Sequence, residues 1–183
     1  MFINKVEIYT EADFEFWKSK VIKEERTLKR RDLLLNVLDS TFDKESWYAP
    51  FKQAIEGLTA KQASWKPSGE ATKTIWENVN HLVYYKERLA ANLEGREWAL
   101  DLDGDETFNL TNQSTDDKEW NKVVERAENA QLHLRQVMST ISDEQLDQNL
   151  PEGKFLDIML HDAYHTGQII QLRKMQGSWP SIR

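Results

Sequence analysis

The sequence predicts an all-α protein, namely a four-helix bundle with a short N-terminal helical extension. Four segments of bundle length repeat apolar residues with helical spacing, and almost no segment alternates apolar and polar residues as a strand does. Glycine and proline are scarce, at seven and four in 183 residues, and most of them fall at the breaks between these segments. Long helices without strands, joined by mostly short connections, are typical of a helix bundle.

The first bundle helix is predicted within residues 28–58. Pro50 cannot donate a backbone hydrogen bond, so we expect either one kinked helix or two abutting helices with the break near 46–50. The segment 59–71 that follows contains a proline and a glycine and is predicted to be a connection.

The second bundle helix is predicted over about 72–94, with Thr72 as its N-cap. Its apolar stripe consists of Ile75, Val79, Leu82, Leu89 and Leu93. Residues 95–113 are polar and acidic, so we expect a loop that is long enough to cross the end of the bundle.

The third helix is predicted to begin after Ser114 and to run to about residue 141. Ser114 and Asp117 match a capping pattern in which a hydroxyl is followed three residues later by an acid. Residues 142–153 are predicted to be a turn region. The last bundle helix extends over about 154–176.

The predicted domain organisation has three parts. Residues 1–29 form an N-terminal extension with a short helix around 11–26, residues 30–177 form the bundle, and residues 178–183 form a tail.

The composition excludes several classes of protein. A net charge of -7 argues against a nucleic-acid binder, because phosphate binding needs a basic surface. No stretch approaches the roughly 18 uninterrupted apolar residues of a membrane span. The N-terminus also lacks the basic and apolar regions of a secretion signal, so we expect a cytoplasmic protein. The chain has no cysteine, and any thiol chemistry must therefore use a thiol that arrives from outside.

The histidines carry the strongest functional signal. There are four, and His161 and His165 stand one helical turn apart, so both imidazoles can bind one metal ion. Nitrogen ligands suit zinc, nickel, iron or copper better than calcium or magnesium. Between Phe155 and Leu172 the only charged residues are Asp157 and Asp162, and we expect this helix to be well buried.

His81 is the best candidate for a third ligand, because it lies on another strongly predicted helix. At about 100° per residue it falls on the flank of that helix shared by Asn78 and Tyr85, so it reaches the interior only if the helix has neighbours on two sides. His133 falls off the apolar stripe of its helix and is predicted to face solvent.

Other site types do not match the sequence. A protease of the HExxH type needs glutamate where the chain has Asp162. A di-iron bundle needs paired Glu-x-x-His motifs, and neither these nor a serine elbow nor a phosphate loop is present.

Two blocks of the sequence resemble a known family. The string HDAYHTGQIIQLRK at 161–174 and the string GLTAKQASWKPSGEATKTIWENVNHLVYYKERLAANLEG at 57–95 are similar to the signatures of the DinB-like (DinB/YfiT) superfamily. The resemblance covers roughly 30–177. It implies a four-helix bundle with a long crossover, often homodimeric, and a metal site formed by His81, His161 and His165.

The resemblance implies a range of activities. Characterised relatives include S-transferases that use low-molecular-weight thiols such as bacillithiol or mycothiol, a thiol-dependent isomerase and some hydrolases, and other members have no known activity. The family name comes from DNA-damage induction and does not imply DNA binding.

Three functional hypotheses follow. The leading one is a divalent-metal-dependent transferase that brings a low-molecular-weight thiol to a small-molecule substrate. The second is a hydrolase in which a metal-bound water is the nucleophile. The third is a non-catalytic stress-response or binding protein with a structural site.

Several neighbours of the histidines are candidates for supporting roles. Acidic side chains can orient a ligand imidazole, and the candidates are Glu77, Asp157 and Asp162; each is otherwise an ordinary helix-face acid. Tyrosines can line the pocket, and the candidates are Tyr84, Tyr85 and Tyr164, which core packing explains equally well.

Overall fold

The computed structural model describes residues 30–148 and 152–181, and every regular element in these ranges is helical. The predicted extension over 1–29, with its helix around 11–26, lies outside the described residues. In chain order the elements are α1 (Arg30–Phe42), α2 (Phe51–Ile55), α3 (Ala60–Ala63), α4 (Ile75–Leu93), a 3-10 helix (Gly104–Asn109), α5 (Asp117–Ser139), α6 (Asp143–Gln148) and α7 (Glu152–Met175).

The four long helices α1, α4, α5 and α7 form the predicted bundle. Helix α4 packs between α5 and α7, and α1 closes the ring by packing against the other side of both. The all-α prediction is confirmed. None of the described helices is long and apolar enough to cross a membrane.

Helices α4 and α5 run parallel to each other. The rings of Trp76 and Trp120 near their beginnings lie 5.3 Å apart, and His133 Nε2 lies 2.8 Å from Glu94 Oε1 near their ends. The chain must therefore return along the whole bundle between them. For this reason the segment 95–113 runs back along α4, which corrects the prediction that it crosses the end of the bundle.

The helix starts differ from the predicted ones by two residues. In α4 the Thr74 hydroxyl accepts from the Glu77 amide, and the Glu77 carboxylate accepts from the Thr74 amide at 2.6 Å. Thr74 therefore caps this helix instead of Thr72, because only Thr74 has an acid three residues later. In α5 the cap is Asp116 and not Ser114, whose hydroxyl accepts from the Asp116 amide.

The predicted break in the first segment is confirmed. Helix α1 ends at Phe42, and Pro50 precedes α2, where its missing amide hydrogen costs nothing. The predicted connections 59–71 and 142–153 contain the short helices α3 and α6, which span too few turns to produce a recognisable period.

The last helix is less buried than its composition predicts. Leu156, Leu160 and Tyr164 form a stripe on α7 in which the residues are 47%, 68% and 65% exposed. Helix α7 packs against α1, α2 and α4 through its other faces, so this side has no partner among the described residues.

The bundle core consists of two apolar clusters. One surrounds the rings of Phe42, Phe51, Trp76 and Trp120. The other lies further along the bundle and surrounds Leu38, Leu134, Phe155 and Met159.

A polar layer separates the two clusters, with one buried residue from each long helix. Lys86 Nζ lies 2.9 Å from Asp162 Oδ2 and donates to Gln131 Oε1 at 2.7 Å. The Thr41 hydroxyl lies 3.3 Å from the same Asp162 oxygen. The Lys86 and Asp162 side chains are only 3% and 0% exposed, so each charge depends on the other for compensation.

We expect the loss of one member of this pair to destabilise the bundle strongly. Asp162→Asn leaves the Lys86 ammonium without a counter-charge, and we expect the free energy of unfolding to fall by about 3–5 kcal/mol. Urea denaturation of the metal-free protein measures this change.

The double variant Lys86→Met/Asp162→Asn serves as the control, because it removes both charges. We expect its loss to be smaller than the sum of the two single losses by about 0.5–3 kcal/mol. Strictly additive losses would show that the two charges do not interact.

Candidate metal centre

Three histidines from two antiparallel helices converge at one point. His161 and His165 project from one face of α7, and His81 projects from α4 opposite them. His81 Nε2 lies 2.8 Å from His161 Nε2, and one nitrogen from each of the three rings falls within 4.8 Å of the others. The structure therefore brings together all three residues predicted as ligands.

His81 faces the interior because α4 is enclosed on several sides. Besides α5 and α7, the 3-10 helix packs against it. Side chains on one face of α4 hold the segment that carries the 3-10 helix by hydrogen bonds. Trp76 donates to the Thr111 hydroxyl, and Asn80 donates to the Phe108 and Thr111 carbonyls. The Tyr84 hydroxyl donates to the Leu100 and Leu102 carbonyls. His81 is consequently only 7% exposed, although it lies off the centre of the apolar stripe.

The 3-10 helix fixes the tautomer of His81. The Thr107 hydroxyl donates to the Gly104 carbonyl at 2.6 Å, so it accepts from His81 Nδ1, also at 2.6 Å. With its proton on Nδ1, His81 presents the Nε2 lone pair to the other histidines. Gly104 opens this turn at a φ of +49°, which favours glycine.

Asn78 fixes His165 in the same way. Its side-chain amide donates to the Thr74 carbonyl at 2.7 Å, which turns its oxygen toward His165 Nδ1 at 2.7 Å. His165 Nδ1 therefore carries the proton, and its Nε2 lone pair is free for a ligand.

The three imidazoles are neutral at neutral pH. Burial lowers the pKa of His81 to about 3, assisted by His165, His161 and Lys73. Burial and the neighbouring His161 lower the pKa of His165 to about 4. Burial also lowers the pKa of His161. Neutral imidazole is the form that binds metal ions, so protons do not compete for these nitrogens near pH 7.

Aromatic rings surround the histidines. Phe108 stacks on His81 with ring centroids 3.9 Å apart. Tyr85 presents its ring to both His81 and His161, and Tyr164 lies edge-on to His165 at 5.0 Å. Each of the three imidazoles therefore has at least one aromatic neighbour.

A cavity of about 470 Å³ opens beside the centre. His161 forms part of its wall, so one of the three convergent rings is also accessible from this space. The other lining residues are Tyr85, Arg88, Leu89, Asn92, Lys154, Asp157 and Ile158.

The predicted supporting residues fall into two groups. Tyr85 and Tyr164 contact the imidazoles, and Asp157 lines the cavity. Glu77 and Asp162 do not orient an imidazole, because the first caps α4 and the second pairs with Lys86.

Two further predictions concern residues outside the centre. The sequence predicts Tyr84 as a pocket residue, but its hydroxyl binds the backbone of the returning segment instead. His133 lies away from the centre, half-buried beside Glu94.

Sequence reasoning missed Asn78, Thr107 and Phe108. Asn78 had a usable signal, because it precedes His81 by three residues and shares its side of α4. Thr107 and Phe108 had none, because they lie in a segment without periodicity whose position depends on side chains of α4.

A comparison with protein-family models agrees with this geometry. The model of the DinB superfamily matches residues 28–169. The chain belongs to the DinB superfamily. No protein with a curated description and no solved structure matches the chain.

The histidines of this DinB superfamily protein fit a divalent transition-metal ion. The donors are three neutral imidazole nitrogens, which suit zinc or nickel. An ion bonded to nitrogen at about 2.0–2.1 Å can bridge their separation after small side-chain rotations. The Nδ1 hydrogen bonds to Thr107 and Asn78 supply the support that metal-binding histidines usually have.

We expect protein purified without a histidine tag to contain about one metal ion per chain. His161→Ala removes one of three ligands and should abolish this content, whereas His133→Ala should not change it. Elemental analysis of the dialysed proteins measures both. Equal metal content in the two variants would rule out the proposed centre.

We expect Thr107→Val to weaken metal binding by about 10–100-fold, because it removes the acceptor for His81 Nδ1. Competition with a chromophoric chelator measures the affinity. Thr111→Val is the matched control, since Thr111 anchors the same segment without touching a histidine. Equal losses in both variants would assign the effect to the segment as a whole.

Proposed function

We propose that this protein is a divalent-metal-dependent transferase that joins a low-molecular-weight thiol to a small electrophilic substrate. One observation carries the proposal: His161 belongs both to the convergent triad and to the wall of the cavity. A ligand in the cavity can thus reach the centre without any rearrangement of the bundle.

The metal ion, when bound, would favour the deprotonated form of a thiol that coordinates it. The chain's own contribution is positional. Thr107 and Asn78 hold two of the rings by their Nδ1 protons, and burial keeps all three rings neutral.

The transfer needs no acid or base from the chain. The thiol proton passes to solvent, the sulfur forms a bond to the electrophilic carbon, and the leaving group departs with its bonding electrons. Glu77 and Asp162 do not serve as acid or base at the triad, because Glu77 caps α4 and Asp162 pairs with Lys86. The chain has no cysteine, so the thiol comes from outside.

Hydrolysis is the second candidate, and Asp157 favours it. This carboxylate lines the cavity one helical turn before His161, where it can take a proton from water. The third hypothesis, a non-catalytic stress-response or binding protein, needs the centre but not the cavity.

A cytoplasmic homodimer is part of the proposal. The exposed stripe of Leu156, Leu160 and Tyr164 on α7 supports a dimer, because a second copy could cover these apolar side chains.

We expect the zinc-loaded protein to conjugate bacillithiol to a chlorinated aromatic compound, with the release of chloride. His161→Ala should lower the rate at least about 100-fold, and His133→Ala should leave it unchanged. Mass spectrometry of the conjugate and chloride release measure the reaction.

The competing hypotheses give different results in the same assay. Ester hydrolysis that is lost in Asp157→Asn, without conjugation across a panel of thiols, would support the hydrolase. Metal binding without either activity would support the non-catalytic protein.

A further inference from the structure

We propose that Arg88 and Lys154 bind an anionic group, a carboxylate or a phosphate, at the far end of a ligand that occupies the cavity and reaches His161. The inference deepens the proposed function, on which it rests, by naming the chemical class of the ligand. It concerns the end of the cavity away from the metal centre.

The first observation is that both cations lack a partner within residues 30–148 and 152–181. Arg88 is half-buried and Lys154 is exposed, yet neither makes an ion pair, a hydrogen bond or an aromatic contact with any residue that the structure describes. Arg126 on the neighbouring helix, by contrast, forms a bidentate ion pair with Glu87, with Nε–Oε1 and Nη2–Oε2 distances of 2.9 and 2.7 Å. An unpaired guanidinium at a cavity wall is available to an anionic ligand.

The second observation is the arrangement of the lining residues along the two helices. On α4, Tyr85 and Arg88 continue the face that carries His81. On α7, Lys154 precedes His161 by seven residues. Because the helices are antiparallel, both cations lie at the same end, about 10 Å along the bundle from the histidines at about 1.5 Å per residue.

The third observation concerns the residues between the two ends. Leu89 and Ile158 line this middle part and are apolar. Among the described lining residues Asp157 is the only acidic one, so together they carry a net charge of +1 on a chain whose net charge is -7. A fitting ligand has a thiol end, a middle part that tolerates apolar contact and an anionic end.

Calorimetric titration of the zinc-loaded protein with mercaptooctanoate and with mercaptooctanol tests the inference. The probes share the thiol and the chain but differ in the anionic group. We expect wild-type protein to bind mercaptooctanoate about tenfold more tightly. Arg88→Met and Lys154→Met should each reduce this preference, and the double variant should abolish it.

Two further variants make the test specific. Arg96→Met removes the same charge near the end of α4 but outside the cavity, where Arg96 pairs with Glu94, and should keep the preference. Asp157→Asn removes the opposing charge and should strengthen mercaptooctanoate binding by about twofold. Thermal melting confirms that each variant folds.

Thiol-free probes separate this inference from the proposed function. Octanoate and octyl phosphate, each compared with octanol on wild-type protein, report the anion site whether or not any thiol binds. If no thiol binds, the proposed function fails. If either anion nevertheless binds more tightly than octanol, and this preference depends on Arg88, the inference is still supported. Equal affinity for anion and alcohol, or a preference unchanged in the double variant, would overturn it.

Discussion

The ion pair between Lys86 and Asp162 lies between two apolar clusters, almost completely shielded from water. A slip of α7 along α4 by one turn, about 5.4 Å, would leave both charges in apolar surroundings without compensation. His161 directly precedes Asp162, and His81 lies five residues before Lys86. The pair that fixes the register of the two helices therefore also fixes the imidazoles opposite each other.

The returning segment completes the centre from the side that the bundle leaves open. Parallel α4 and α5 require this long connection, and the hydrogen bonds of Trp76, Asn80 and Tyr84 hold it against α4. The 3-10 helix thereby places Thr107 at His81. One topological requirement accounts for both the length of the connection and the orientation of the His81 ring.

The cavity joins two environments of opposite character. At one end lies His161, which converges with His81 and His165, the two rings that Thr107 and Asn78 hold by their Nδ1 protons. At the other end, Arg88 and Lys154 have no described partners. The bundle pairs its buried Lys86 with Asp162 but leaves both cavity cations without a partner among the described residues, so this wall is suited to an external anion.

The sequence by itself determined the helices, the HxxxH pair and the likeness to the DinB superfamily, because helical periodicity and spacing are local properties. It also marked His81 as the best candidate for a third ligand, although the angle of His81 on α4 left its direction open. Tertiary structure decided the rest: the path of 95–113, the roles of Thr107 and Phe108, and the pairing of Asp162 with Lys86 instead of an imidazole. These contacts join residues far apart in the chain, and their energies depend on burial that no local pattern encodes.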